Sequence, residues 1–289
     1  MKVTAIPMRT VSLPSGEAIP VLGQGTWTMG EDPAKRQQEV AALRAGLDHG
    51  LHLIDTAEMY GGGATEELVR EAIRGRRDEV FLVTKVMPQR ATRRGTVLAC
   101  EESLRRLGTD RIDLYLLHWP GAVPLAETLE GFEVLLNTGR IRHWGVSNFD
   151  VSDMEDLVAL PRERRQPGHS VQTDQVLYNL IRRGIEYDLL PWCQRHGVPI
   201  MAYSPVEQGR LLRKPRLHRV ATRHNATPAQ IALAWVLRTP DVCAIPKAGT
   251  PAHVLENRAA LDIVLTSEDL EELDQAFPAP TASRPLEVI

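Results

Sequence analysis

A repeated unit constrains this chain more than any other feature. A short apolar run, usually rich in β-branched residues, is followed by a polar residue and then by a segment with helical periodicity. The apolar runs fall at Val21–Gly23, His52–Ile54, Val80–Thr84, Ile112–Leu117, Ile141–Val146, Val171–Val176, Pro199–Ala202 and Val242–Ile245. They are continuous rather than alternating, which is the pattern of parallel strands buried on both faces. Eight such runs alternating with helices over about 250 residues predict an α/β fold, a (β/α)8 TIM barrel, with residues 1–289 as a single domain. An open doubly wound sheet is the structural alternative, but no G-x-G-x-x-G follows any of the runs.

The segments between the runs carry helix signals. Asp32-Pro33 offers a capping side chain before a proline at the first helical position, Val40, Leu43 and Leu47 repeat at helical spacing, and Gly50 is the stop. Thr227 to Gln230 and Thr266 to Asp269 read as capping boxes. Leu125, Leu129, Phe132 and Leu136 form a core-facing stripe that ends at Gly139. Pro14-Ser15-Gly16 predicts an N-terminal β-hairpin closing the barrel bottom, and the proline-rich stretch from Pro278 to Ile289 is expected to drape over the surface.

Composition excludes several classes. With 43% hydrophobic residues the chain is not mainly disordered, and a net charge of −3 offers no field for nucleic acid or an anionic membrane. No run of 18 apolar residues occurs, and Met1 to Thr10 lacks the apolar core of a signal peptide. Cys100, Cys193 and Cys243 lie far apart, as expected of reduced core thiols in a cytoplasmic protein. The nine histidines form no H-x-H or H-E-x-x-H pair, so no catalytic metal is expected. His49, His143, His169, His196, His218 and His224 read as surface or cap residues. Lysine is scarce: of 34 lysines and arginines, only Lys2, Lys35, Lys85, Lys214 and Lys247 are lysines. A lysine that follows the apolar run Phe81-Leu82-Val83-Thr84 therefore asks for a reason.

In a barrel of this kind the chemistry sits where strands end. The polar residues there are Asp55, Lys85, His118, Ser147-Asn148, Gln175, Tyr203-Ser204 and Lys247, with Tyr60 five residues beyond Asp55. Each has a plain alternative taken alone: a helix cap for Asp55, a surface position for Lys85, a satisfied core site for His118, loop packing for Tyr60. Together they make a device for protonating a carbonyl oxygen. A tyrosine hydroxyl, with a pKa near 10, is a weak acid. A nearby ammonium favours its phenolate, a carboxylate holds that ammonium in place, and a histidine orients the oxygen receiving the proton. The set contains no hydride source, so a cofactor must supply it.

The segments Leu53-Ile54-Asp55-Thr56-Ala57-Glu58-Met59-Tyr60-Gly61, Lys85, Leu117-His118-Trp119-Pro120, Gly145-Val146-Ser147-Asn148-Phe149, Tyr203-Ser204-Pro205 and Ile245-Pro246-Lys247 resemble the aldo-keto reductases. The likeness runs from about Gly25 to Asn257 and is strongest to short bacterial members that reduce methylglyoxal and related ketoaldehydes. It implies Tyr60 as proton donor, Lys85 and Asp55 as its tuning partners, and His118 as the group that orients the carbonyl. It implies that Ser147, Asn148 and Gln175 hold a nicotinamide carboxamide and that Tyr203 stacks on the ring. Gly25, Thr26, Ser204 and Val206 would line the rest of the dinucleotide, Lys247 and His253 its adenosine phosphate, and Glu256 with Asn257 its adenine. Trp27 and Trp119 would form the substrate wall.

The chain departs from the family pattern in places. Ala248 and His253 stand where serine and arginine are frequent, which implies NADPH preferred over NADH by a reduced margin, with NADH also accepted. Asp174 stands where asparagine is common, and the loop Glu207-Gln208-Gly209-Arg210 is short. The partner expected is a small-molecule carbonyl substrate, with no nucleic acid, no membrane and a monomeric chain. Two other classes stay open at this level: a Schiff-base aldolase using Lys85, which would leave Ser147, Asn148, Gln175 and Lys247 without work, and a cofactor-binding regulatory or sensing subunit of the same fold.

Overall fold

The computed structural model describes residues 8–160 and 170–289. His169, read above as a surface or cap residue, lies outside the described residues. Two short strands, β1 (Thr10–Ser12) and β2 (Ala18–Pro20), pair antiparallel about the Pro14-Ser15-Gly16 turn. Eight parallel strands then follow in chain order: β3 (Gln24–Gly25), β4 (Leu53–Asp55), β5 (Phe81–Val86), β6 (Ile112–Leu117), β7 (Ile141–Ser147), β8 (Asp174–Leu177), β9 (Ile200–Tyr203) and β10 (Val242–Ala244). The sheet closes on itself where Leu22 bridges Ala244 and Gly25 bridges Lys247. Gly23 N donates to Ala244 O at 2.8 Å and Gly25 N to Pro246 O at 3.1 Å. This is the expected (β/α)8 barrel. Its strands are buried along almost their whole length, as the continuous apolar runs require.

Several boundaries differ from the sequence reading: β8, for example, starts at Asp174 rather than Val171, and β5 runs on to Val86. The first barrel strand pairs at Gln24 and Gly25, not at Val21–Gly23. Glycine decides this: a Cβ on Gly23 would lie 2.4 Å from Leu53 Cδ2, and one on Gly25 would lie 2.5 Å from Ile245 O. Gly25 lets the chain close against Ile245 across the seam, and Gly23 lets it pass Leu53 of β4. The first helix, Arg36–Asp48, starts three residues beyond Pro33. Asp32 caps a turn instead, accepting from Ala34 N at 3.0 Å.

The other helix signals hold. Thr227 and Thr266 each form a reciprocal capping box with the residue three ahead, at the starts of helices Pro228–Val236 and Ser267–Ala276. The Leu125–Leu136 stripe lies on helix Leu125–Asn137, with Phe132 buried and the leucines packed against the core. The hairpin sits at the N-terminal ends of the strands. Ser15 N donates to Gln172 Oε1, and Glu17 Oε2 pairs with His143 Nε2 at 2.6 Å and Arg142 Nη2 at 2.7 Å. His143 is thus a buried residue of the barrel floor, not a surface or cap residue. The reason is its place on β7, where Glu17 from the hairpin covers it.

Candidate active site

The polar residues converge at the C-terminal mouth of the barrel. Asp55 ends β4 and Lys85 lies on β5, both fully enclosed. Three acceptors surround the Lys85 ammonium: Asp55 Oδ1 at 2.8 Å, Asp55 Oδ2 at 2.9 Å and Thr56 O at 2.7 Å. Its fourth neighbour is the Tyr60 hydroxyl at 3.4 Å. Tyr60 reaches back over the lysine because three successive left-handed glycines reverse the chain behind it, Gly61 at φ 55°, Gly62 at 61° and Gly63 at 100°. Side chains other than glycine rarely adopt that run.

His118 follows β6, its backbone N donating to Val86 O at 3.0 Å. Its ring meets Tyr60 edge-on with centroids 5.9 Å apart, and Trp119 packs against it with centroids 4.8 Å apart. Trp27 stands 45% exposed just beyond β3. Both tryptophans therefore sit at strand ends, where the sequence put a substrate wall.

The charges set the chemistry. Burial works against the Lys85 ammonium, but Asp55 and Tyr60 outweigh it and hold its pKa above the usual lysine value. Burial pushes the Asp55 carboxyl upward, with Lys85 and Gln175 opposing. Burial also raises the Tyr60 hydroxyl above 10, and Lys85 only partly pulls it back. The pull of Lys85 has the lowering sign expected from the sequence, but desolvation is larger. Tyr60 is therefore a neutral phenol able to donate a proton. His118 is lowered to about 2, first by burial and then by Lys85, so it is a neutral imidazole. Its Nδ1 is enclosed without a partner. An orphaned buried acceptor is better tolerated than an orphaned N–H, which favours the proton on Nε2, free to donate.

The carboxamide residues are brought to the same place, though most of their polar atoms already have protein partners. Ser147 Oγ donates to Gln175 O at 2.7 Å. Asn148 Nδ2 donates to His118 O and to Ser147 Oγ, both at 3.1 Å, while its Oδ1 accepts from the Tyr203 hydroxyl at 3.0 Å. Gln175 Nε2 donates to Asp55 Oδ1 at 2.8 Å. A carboxylate only accepts, so the amide must turn its N–H inward, which leaves Oε1 as the group to receive a carboxamide N–H. Sequence reasoning missed this Gln175–Asp55 link and the Thr56 carbonyl, because residue spacing gives the side of the strand but not the atom.

At the phosphate end the pattern is open. Lys247 is exposed, with no carboxylate within ion-pair distance among the described residues. His253 is exposed one turn into helix Pro251–Ala259. Gly25 is the seam glycine, and Thr26 spends its hydroxyl on Asp55 O at 2.8 Å, so both present backbone only. Ser204 has φ 47° and Asn179 Nδ2 donates to its carbonyl at 3.0 Å, with Val206 half-buried beyond it. Glu256 Oε1 accepts from Thr227 Oγ1 at 2.6 Å, whereas Asn257 lines a small cleft with Gly25, Pro246 and Ala248. A free cation at one end and an acceptor amide at the other fit a dinucleotide phosphate carrying a nicotinamide.

The C-terminal stretch does run over the surface, tied by Ser283 to Asp188 at 2.6 Å and by Glu287 to Arg182 at 2.6 Å. It also roofs a cleft of about 330 Å³ beside helix Val151–Ala159 that contains none of the four catalytic candidates.

Comparison with known proteins agrees with this geometry. The aldo/keto reductase family model matches residues 21–277. A methylglyoxal reductase of Escherichia coli, YeaE, is 51% identical over 277 residues, 94% of this chain and 96% of the relative. A glyoxal reductase of Bacillus subtilis is 32% identical over 92% of this chain and 91% of its own. A solved aldo-keto reductase from Klebsiella pneumoniae, in complex with NADP and acetate, superposes with a TM-score of 0.92 at 52% identity, covering 98% of this chain and all of its own. The chain belongs to the aldo/keto reductase family.

Proposed function

We propose that this protein is an NADPH-dependent reductase that converts aldehydes and ketones to alcohols, taking small ketoaldehydes such as methylglyoxal and also aromatic aldehydes. The observation that carries the reading is the buried Asp55–Lys85 pair with its ammonium 3.4 Å from the Tyr60 hydroxyl, beside a neutral His118. The methylglyoxal reductase relative and the NADP and NADPH complexes of the Klebsiella structures support the substrate and the cofactor.

When bound, reduced nicotinamide supplies the hydride. The chain's residues do the rest. His118 Nε2–H and the Tyr60 hydroxyl hold the substrate oxygen, with Trp27 and Trp119 walling its carbon skeleton. Tyr60 delivers its proton to that oxygen, and the Lys85 ammonium stabilises the phenolate left behind. Asp55 keeps Lys85 charged and holds the Gln175 N–H, leaving the amide oxygen as an acceptor. Ser147, Asn148 and Gln175 would grip the carboxamide and Tyr203 would support the ring. Ser204 and Val206 would contact the pyrophosphate, Gly25 and Thr26 would line the dinucleotide, Lys247 and His253 would hold the 2′-phosphate, and Glu256 and Asn257 the adenine. Residues 1–289 act as one domain, as a monomer in the cytoplasm. No helix among the described residues is long and apolar enough to cross a membrane.

The aldolase reading is disfavoured because Lys85 has three acceptors on a charged ammonium, the opposite of a free amine nucleophile. A steady-state screen of ketoaldehydes and aromatic aldehydes with NADPH and NADH tests the proposal. Turnover with NADPH is expected, and borohydride should trap no adduct on Lys85. No turnover on any carbonyl would move the chain to the regulatory reading, and a reduced imine on Lys85 to the aldolase.

A further inference from the structure

Asp174, the first residue of β8, is a buried acid with no role in the chemistry above. Its side chain is 0% exposed and its neighbour Gln175 carries the mouth function, so alternation along β8 turns Asp174 away from the barrel interior. Asn148, across the β7–β8 pairing, is held in the left-handed region at φ 58°. That turn buries the next amide: Phe149 is 2% exposed and its N–H has one acceptor among the described residues, Asp174 Oδ1 at 3.5 Å. We infer that Asp174 is a positioning residue for the reductase, holding the Ser147–Asn148–Phe149 corner that presents the carboxamide grip by supplying the acceptor for the buried Phe149 amide.

An asparagine would offer the same acceptor without a charge, so the state of the acid matters. Asp174 Oδ2 has no hydrogen-bond partner, and no lysine, arginine or histidine pairs with the carboxyl among the described residues. The groups facing it are Asp150 and Asp153 at the start of helix Val151–Ala159, Cys193 on helix Leu189–His196 and Tyr203 on β9. None is a cation, and the two aspartates oppose a further negative charge. Burial adds to this and pushes the Asp174 carboxyl well above the usual range. The fold therefore favours the neutral form of Asp174 over the carboxylate.

A consequence with a definite sign follows. A carboxyl protonated when folded but free to ionise when unfolded loses stability for the fold as pH rises from about 4, and the loss is complete once pH passes the folded value. Relative to wild type, Asp174→Asn should gain melting temperature as pH rises from about 4 towards neutrality.

The test compares wild type, Asp174→Asn and Asp174→Leu. Its readouts are amide hydrogen exchange at Phe149, NADPH affinity and melting temperature across that pH range. The leucine variant should lose protection at Phe149 and bind NADPH on the order of tenfold more weakly, the loss of one buried acceptor. Its KM for the carbonyl should hold within about twofold, since the substrate does not touch this corner. The asparagine variant should keep both protection and affinity. The inference is overturned by a leucine variant that keeps them, by an asparagine variant that loses them, or by a wild-type-to-asparagine melting difference that stays flat or moves the other way as pH rises. Should the leucine variant not fold, the asparagine comparison still decides. The cofactor readout rests on the reductase reading; absence of NADPH binding by wild type would count against that reading, while exchange and melting would still judge Asp174.

Discussion

Two buried aspartates, one at each end of the barrel, accept three hydrogen bonds apiece and do different work. Asp113, at the start of β6 near the floor, accepts from Arg77 Nη2 at 2.7 Å, Arg142 Nη1 at 3.0 Å and Leu82 N at 2.8 Å. Asp55, at the mouth, accepts twice from Lys85 and once from Gln175. The carboxylates are equally satisfied; their cations are not alike. The side chains of Arg77 and Arg142 are 16% and 45% exposed, so solvent shares their charge, whereas Lys85 is wholly enclosed. An enclosed ammonium has one remaining neighbour on which to act, the Tyr60 hydroxyl. Arginine tethers the floor and a rare lysine aims charge at the mouth.

Breaking the mouth pair should have the largest effect. Lys85→Met removes the charge that stabilises the phenolate and should lower kcat by about 10²–10⁴-fold, with NADPH affinity nearly unchanged. Lys85→Arg should rescue little, because a planar fork cannot meet the same three acceptors and the hydroxyl. Steady-state kinetics beside fluorescence titration of NADPH would check both variants.

The floor should respond in stability instead. Asp113→Leu leaves Leu82 N and two guanidinium groups short of an acceptor, but the arginines can turn to solvent. The expected loss is about 2–3 kcal/mol, with kcat per folded molecule within about twofold of wild type. Urea unfolding and kinetics on the same sample separate the two effects.

Lys247, at the phosphate end and without an ion-pair partner among the described residues, sharpens the comparison further. A charge-assisted contact to a 2′-phosphate is worth about 1.5–3 kcal/mol, so NADPH should bind one to two decades more tightly than NADH. Lys247→Ala should remove most of that gap, and salt should narrow it in wild type. Equal affinities in wild type would mean that Lys247 has another task.

The smallest effect is a null. With His118 held at about 2, its protonation lies far below the working range. The pH profile of kcat/KM should therefore show no acid limb from His118 between about pH 5 and 8. A limb there that vanishes in His118→Gln would contradict the neutral assignment.

Much of this was legible in the sequence, for a physical reason. Parallel strands buried on both faces must read as apolar runs, and the polar residue ending each run must stand at the mouth. That logic located Asp55, Lys85, His118 and Gln175 without coordinates. It did not find the seam at Gln24–Gly25, because close backbone approach is recorded only as two glycines whose neighbours are distant in the chain. It misplaced the first helix start, since Asp32 side-chain capping serves a turn as well as a helix. Residue type also cannot weigh burial against a neighbouring charge, and so the sign of the net shift on Tyr60 was lost. The Gln175–Asp55 bond joins residues 120 apart and needed the closed barrel.

The central claim is that the Tyr60 hydroxyl donates the proton. Replacing it by Tyr60→Phe and measuring kcat on methylglyoxal with saturating NADPH tests that claim most directly. The account predicts a fall of about 10²–10⁴-fold in kcat, with NADPH affinity within about twofold of wild type. A variant that keeps more than about half of wild-type kcat would contradict it, and the proton would have to come from another group.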